Sequence, residues 1–310
     1  MSGERLLTTH YSPLTFRTQA VEKRKILIQI DGDPQPSVFD RVVAIDAGAD
    51  EVFSYGGVTP EQVRNLVHGA IFTRGPKDLK RTAFFIGGSD VAAGERLLEE
   101  VKRQMVPQYG LRVSVLMDAN GANTTAAAAL RAAARELALK DVPALVLGGT
   151  GPVGQRVARL LAREGAEVRV GSRQRERAAG VCKAIKSKVE GARVEPVATG
   201  TPPELQTALE GRTLVISAGT AGAVLLPKAV RLACPSLQVV IDLNAVPPLG
   251  VEGAELPDKG TKREGVVCYG AIGVGGVKMQ IHKAALARLF ESNDQIMDAE
   301  EVYSLAGSLP

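Results

Sequence analysis

The sequence has no tryptophan, only 4% aromatic residues, three histidines and three cysteines among 310 residues. Cys182, Cys234 and Cys268 lie far apart without CxxC or Cys/His spacing. A disulfide framework and a metal site are therefore not expected, and the thiols read as inert core residues in a reducing cytoplasm. His10, His68 and His282 are isolated, and no reactive-cysteine motif accompanies them. No catalytic triad assembles, and each histidine reads as structural. No apolar run approaches the roughly 18 residues that span a bilayer, so no membrane partner is expected. The opening MSGERLLTTHYSPLTF lacks a signal-peptide core, and residues 1–24 read as an N-terminal arm. A concentrated basic stretch is also missing: the net charge is +4, but Lys and Arg are interleaved with Asp and Glu. That argues against nucleic acid and fits an anionic small molecule equally well.

What is present is a packed chain, 45% hydrophobic and 23% charged. At roughly 150 residues per domain it divides most simply into two domains with a cleft between them. ILIQI (26–30), EVFSY (51–55), TAFFIGG (82–88) and RVSVLMD (112–118) read as strands separated by helical stretches. Thr59-Pro60 with Gln62 marks one helix start. An alanine-rich helix over about 123–139 leads to a second series, PALVLGG, AEVRVGS, RTLVISAG and QVVIDLN. Alternating strands and helices imply parallel sheets covered on both faces. The expected fold is α/β, with a first domain of 25–140 plus 274–310 and a Rossmann domain of 141–273. The late GGVKMQIHKAALARLFES is the helix that crosses back to the first domain.

LGGTGPVG (147–154) follows a strand and opens a helix, the context in which GxGxxG signals a dinucleotide. Gly149 is expected to permit the turn, Gly151 to let the backbone approach a pyrophosphate, and Gly154 to allow helix–strand packing; Thr150, Pro152 and Val153 complete the loop. The next strand ends in Gly171-Ser172-Arg173, with no carboxylate for the ribose hydroxyls. A hydroxyl and a guanidinium suit a 2′-phosphate, which favours NADP. The alternative makes Arg173, Arg175 and Arg177 a solvated helix start. Ser217, Ala218 and Gly219 follow another strand and are expected near the nicotinamide. Asn244 and Ala245, before Pro247-Pro248, are expected there too, unless that loop is purely structural.

On the other domain, DGDPQPSVFD, GGSD and DANGANTT follow strands, where ligands bind in open α/β sheets. Each also reads as turn and cap chemistry, with Ser89 and Asn123 or Thr124 as caps and Pro34 and Pro36 as turn formers.

DPQPSVFD (33–40), GGSDVAAGE (87–95), DANGANTTAAA (118–128), GGTGPVG (148–154), NAVPPLG (244–250) and YGAIGVGGVK (269–278), with the late LFES, resemble the bacterial NADP-dependent methylene-tetrahydromethanopterin dehydrogenases. The resemblance runs from about Lys25 to Ala306; the N-terminal arm departs from it. It implies oxidation of a methylene carbon held between two pterin nitrogens, with hydride passing to NADP. The methenyl product is a delocalised cation, so carboxylates suit the site and no base need remove a proton. Lys278, expected just after a glycine loop at the start of the last helix, is carried over as catalytic, with Asp40 and Asp118. Asp33, Ser37, Phe39, Asp90, Asn120, Asn123, Thr124 and Gly275 are the expected substrate contacts. The resemblance also implies a homo-oligomer. Tetrahydromethanopterin and tetrahydrofolate remain alternatives as substrate. Two further readings are a dehydrogenase for an amino acid or shikimate-like acid, and a non-catalytic NADP-binding regulator.

Overall fold

β-Branched runs alternate with amphipathic stretches, and in the structure, a computed structural model describing residues 22–309, they form two parallel sheets covered by helices. His10 and all but the last residues of the expected arm fall outside that span. The first series is β1 (Ile26–Asp31), α1 (Val38–Asp46), β2 (Glu51–Tyr55), α2 (Pro60–Ile71), β3 (Thr82–Gly87), α3 (Val91–Gln104), β4 (Ser114–Met117) and α4 (Ala122–Glu136). The second begins with β5 (Pro143–Leu147), α5 (Pro152–Arg163), β6 (Glu167–Ser172), α6 (Arg175–Lys188), β7 (Arg193–Ala198) and α7 (Pro202–Leu209). It continues with β8 (Leu214–Ser217), α8 (Lys228–Leu232), β9 (Val239–Asp242), β10 (Lys259–Arg263) and β11 (Val266–Tyr269). Helix α9 (Ala271–Arg288), β12 (Ile296–Met297) and α10 (Ala299–Ser308) follow.

The first sheet runs β12-β4-β3-β1-β2, all parallel, and the second β10-β11-β9-β8-β5-β6-β7, parallel except for β10. The strand order reverses between β1 and β3 in one and between β5 and β8 in the other. Those are the two places where loops after strands diverge and leave a crevice for a ligand. Strand β3 is buried along its whole length, as expected of a central parallel strand that reads as one apolar run. Thr59 and Gln62 form the expected capping box at α2.

Four strands fall outside the sequence expectation, three of them invisible to apolar patterning and the apolar β11 (VVCY) only four residues long. β7 contains Pro196, tolerated because the strand lies at the sheet edge and its missing N–H removes no second ladder bond. β10 reads KGTKR, with no apolar residue, and pairs antiparallel at the other edge. β12 is two residues long, and β11 is the short partner of β10. β12 joins the first sheet beside β4 although it follows the second series in sequence.

The larger correction concerns the last long helix. It begins at Ala271, so the expected glycine loop is helical and Lys278 lies about two turns inside. Gly273 is needed there because a Cβ would fall 1.8 Å from the Asp258 carbonyl oxygen, whereas at Gly275 and Gly276 it would meet nothing. The close approach of the helix to the 255–258 turn overrides the glycines' poor helix propensity. Helix α4 is wedged against α5, α9 and α10, and its buried Ala126, Ala127, Ala129 and Ala133 let their backbones come close. A single apolar cluster consequently runs through both halves.

Candidate active site

The turn from β5 into α5 is shaped by four glycines with different duties. Gly148, not Gly149, adopts the left-handed conformation of the turn (φ +68°), and its Cβ would lie 2.5 Å from the Gly219 Cα. A Cβ on Gly149 would fall 2.7 Å from Val170 of β6, and one on Gly154 would fall 2.3 Å from the Gly148 carbonyl oxygen. Gly151 caps α5, and Pro152 occupies the first helical position, where no N–H is missed. The turn thus keeps its backbone bare at the N-terminus of a twelve-residue helix, whose free N–H groups and positive dipole end favour an anion. Side chains at Gly148, Gly149 and Gly154 would clash with the turn itself and its neighbours, and the bare turn at a helix N-terminus suits the pyrophosphate of a dinucleotide.

Around the cradle, the other expected residues divide. Ser172 is buried at the end of β6 and its Oγ accepts from the Gln174 N–H at 3.2 Å, while Arg173 stands exposed beside it. Ala218 and Gly219 abut the glycine turn, but Ser217 is fully buried and pairs in the ladder with Asp242. Asn244 is spent on its own loop: Nδ2 donates to the Pro248 carbonyl at 3.1 Å and Oδ1 accepts from Val246 at 3.0 Å. It braces residues 244–248, leaving Ala245 exposed at the tip.

Across from the cradle, several acids prove to be structural ligands of the backbone. Asp90 caps α3, accepting from the Ala92 and Ala93 N–H groups at 2.8 and 3.1 Å. Ser37 caps α1 through the Asp40 N–H. Asp33 accepts from the Ser89 N–H and hydroxyl at 2.9 and 2.8 Å, tying the first loop to the third strand's loop. Asp118 is buried and accepts from the N–H groups of Asn123 and Thr124 and, at 2.6 Å, from the Thr124 hydroxyl. Burial pushes its carboxyl up to about 6. Asn123, fully buried, donates to the Met117 carbonyl and to Asp298 and accepts from Arg156. Asp118, Asn123 and Thr124 thus hold the turn into α4, and Asp118 also feels the charges of Lys278 and Asp40. Asn120 is exposed at that turn in the left-handed region (φ +56°), its N–H donating to Gly88.

What remains open is a small cluster. Phe39 is 50% exposed at the start of α1. Lys278 reaches from α9 so that its Nζ lies 4.8 Å from the Phe39 ring centroid. The same Nζ would be 3.3 Å from a Cβ on Gly121, a left-handed glycine just before α4. Asp40 is half-buried, and burial raises its carboxyl while the Ser37 hydroxyl and Lys278 oppose that rise. Gly275, a turn before Lys278, leaves its side of α9 open. Asp31 was not singled out in the sequence, yet it organises this cluster. Buried at the end of β1, it accepts from the Asp33 N–H at 2.8 Å, and its Oδ2 and that of Asp40 would both touch a Cβ on Gly87, at 3.1 and 3.6 Å. Its signal was the acid closing an apolar strand at the head of DGD.

The two clusters are adjacent. Val153, in the first turn of α5, packs against the apolar cores of both halves. One turn on, Arg156 is buried, bonds Asn123 at 3.2 Å and pairs with Glu95 of α3 at 2.7 Å. A glycine turn of dinucleotide type beside a second parallel sheet, with a lysine, an aspartate and a phenyl ring at that sheet's crevice, defines the class of two-unit α/β proteins with one Rossmann unit. Quinate dehydrogenase from Corynebacterium glutamicum, solved in complex with NAD, shares this fold with a TM-score of 0.53 at 16% identity, over 92% of this chain and 99% of that one.

Sequence comparison makes the assignment particular. The family model described as methylene-tetrahydromethanopterin dehydrogenase, N-terminal, matches residues 38–120. The bifunctional protein MdtA of Methylorubrum extorquens is 44% identical over 91% of this chain and 98% of its own length. The NAD(P)-dependent methylenetetrahydromethanopterin dehydrogenase of the same organism is 31% identical, again over 91% and 98%. The chain belongs to the methylene-tetrahydromethanopterin dehydrogenase family.

Proposed function

We propose that the protein oxidises methylene-tetrahydromethanopterin to methenyl-tetrahydromethanopterin with NADP. The observation that carries this reading is the open cluster of Phe39, Asp40 and Lys278 beside the glycine cradle, in a chain of this family. NADP, when bound, accepts the hydride at its nicotinamide. The glycine turn and the α5 N-terminus hold the pyrophosphate, and Ser172 and Arg173 hold the 2′-phosphate, the guanidinium by a charge-assisted contact. Phe39 offers a face for the flat pterin, and Lys278 donates to a pterin heteroatom, orienting the methylene carbon. The two electrons leave as hydride and no proton is released, since the product charge spreads over both nitrogens. The Asp40 carboxylate, with Asp31 behind it, stabilises that developing charge.

In this reading residues 25–140 with 274–310 form the pterin unit and 141–273 the NADP unit. No helix among the described residues is long and apolar enough to cross a membrane, and the three cysteines are free and buried, which suits a reducing cytoplasm. A homo-oligomer is proposed as well. Val42 and Ile45 on α1, with Phe53 and Tyr55 on the edge strand β2, are exposed apolar residues that a second copy would cover.

The test is to mix the protein with NADP and, in turn, methylene-tetrahydromethanopterin and methylene-tetrahydrofolate. Absorbance of NADPH and of the methenyl product is then followed. Turnover fastest with the methanopterin substrate is expected. Faster turnover with the folate would reassign the substrate, and NADP binding without turnover of either would favour a regulator.

A further inference from the structure

His282 lies one turn beyond Lys278 on α9 and is 1% exposed, yet neither ring nitrogen has a hydrogen-bond partner among the described residues. The imidazole is held between two phenyl rings, with centroids 5.8 Å from Phe85 of β3 and 6.2 Å from Phe39 of α1. The groups facing it are those rings, Lys278 on its own helix, and Asp40 of α1, whose Oδ1 is 4.0 Å from Nε2. Burial first, and Lys278 second, push the imidazole down to about 3, so it is neutral at any working pH. A neutral imidazole carries one N–H donor, and a buried donor without an acceptor is unfavourable. Phenylalanine or leucine would fill the same slot without that penalty. The acceptor lies about 1 Å beyond hydrogen-bond reach, on the first turn of a helix whose Phe39 is half exposed.

We infer that His282 is a positioning residue for Asp40: its Nε2–H donates to the Asp40 carboxylate when α1 draws in over a bound pterin, which aims that carboxylate at the ring system. The inference rests on the function proposed above. Phe39 moves with Asp40, so the same small shift lays its ring against the substrate. Lys278 and His282 then work from successive turns of one helix, one on the substrate and one through Asp40. Phe85 fixes the plane of the imidazole and hence the direction of its N–H.

The test combines a double-mutant cycle with a measurement that needs no substrate. His282→Phe keeps the ring and removes the donor, and His282→Gln restores a donor. His282→Phe is expected to lower kcat with the pterin about tenfold at unchanged NADP affinity, and His282→Gln to recover most of it. In an Asp40→Ala background, His282→Phe should change kcat less than about twofold, because the acceptor is already gone. Equal losses in both backgrounds would overturn the inference, as would full activity of His282→Phe. Long-range proton–nitrogen NMR of the three histidines reads the ring directly. His282 should be neutral and carry its proton on Nε2, and Asp40→Asn should shift its signals. An Nδ1–H tautomer indifferent to Asp40 would sink the pairing. Should wild-type protein turn over no pterin, the functional reading fails while the NMR result still decides the pair.

Discussion

The two halves of the site are made of different materials. The nucleotide side is built of backbone: Gly148, Gly149, Gly151, Gly154 and Gly219 matter for the side chains they lack. The substrate side is built of side chains, and most of its polar ones serve the chain itself. Asp33, Ser37, Asp90, Asp118, Asn123 and Thr124 cap helices or tie loops, leaving Phe39, Asp40 and Lys278 free to meet a ligand. A site made of missing side chains tolerates no added atom, whereas a site made of present ones loses function group by group.

Gly154→Ala should have the largest effect, because its methyl group would overlap the Gly148 carbonyl and push α5 off the turn. NADPH affinity, read by fluorescence titration, is expected to fall roughly 100-fold or more. Lys278→Ala should come next, lowering kcat with the pterin by about 10- to 100-fold, as expected for a lost charged hydrogen bond. Its NADPH affinity should stay at the wild-type value, which separates the two halves. Arg173→Ala should raise the KM for NADP about tenfold and leave the KM for NAD nearly unchanged. Equal changes for both cofactors would return Arg173 to the solvated start of a helix.

The smallest effect is one of stability. Asp118 has a folded value of about 6 against an ordinary 3.8, so between those values the folded chain holds more protons than the unfolded one. Its contribution to stability therefore falls as pH rises through that window and is most favourable below it. Asp118→Asn removes the titration while keeping an acceptor for the two N–H groups of α4. The wild-type melting temperature minus that of the variant should grow by a few degrees, about 2–4 °C, from pH 7 to pH 4. A flat difference would mean that Asp118 is not buried as a cap.

The same contrast explains what could be read without coordinates. The glycine turn was legible because strand, glycines and helix stand in a local order that backbone geometry dictates, although the left-handed residue proved to be Gly148 rather than Gly149. Eight parallel strands, β1 to β6 with β8 and β9, were legible as apolar runs. β10 and β12 were not, since one has no apolar residue and the other is two residues held by pairing alone. On the substrate side an Asp that caps a helix and an Asp that accepts from no backbone N–H look identical in sequence. Asp118 and Asp40 differ only in where their neighbours fold, through contacts such as Asn123 to Arg156 that join residues far apart in the chain. His282 read only as a structural helix residue, since its burial between Phe39 and Phe85 depends on partners far away in the chain.

That the two halves form one hydride-transfer site is tested most directly with methylene-tetrahydromethanopterin deuterated at the methylene carbon. After a single turnover in ordinary water, NADPH should carry deuterium at C4 of the nicotinamide, detected by mass spectrometry and NMR. The converse experiment, unlabelled substrate in heavy water, should leave that position free of deuterium. NADPH without label from the substrate, or label acquired from the solvent, would contradict the account.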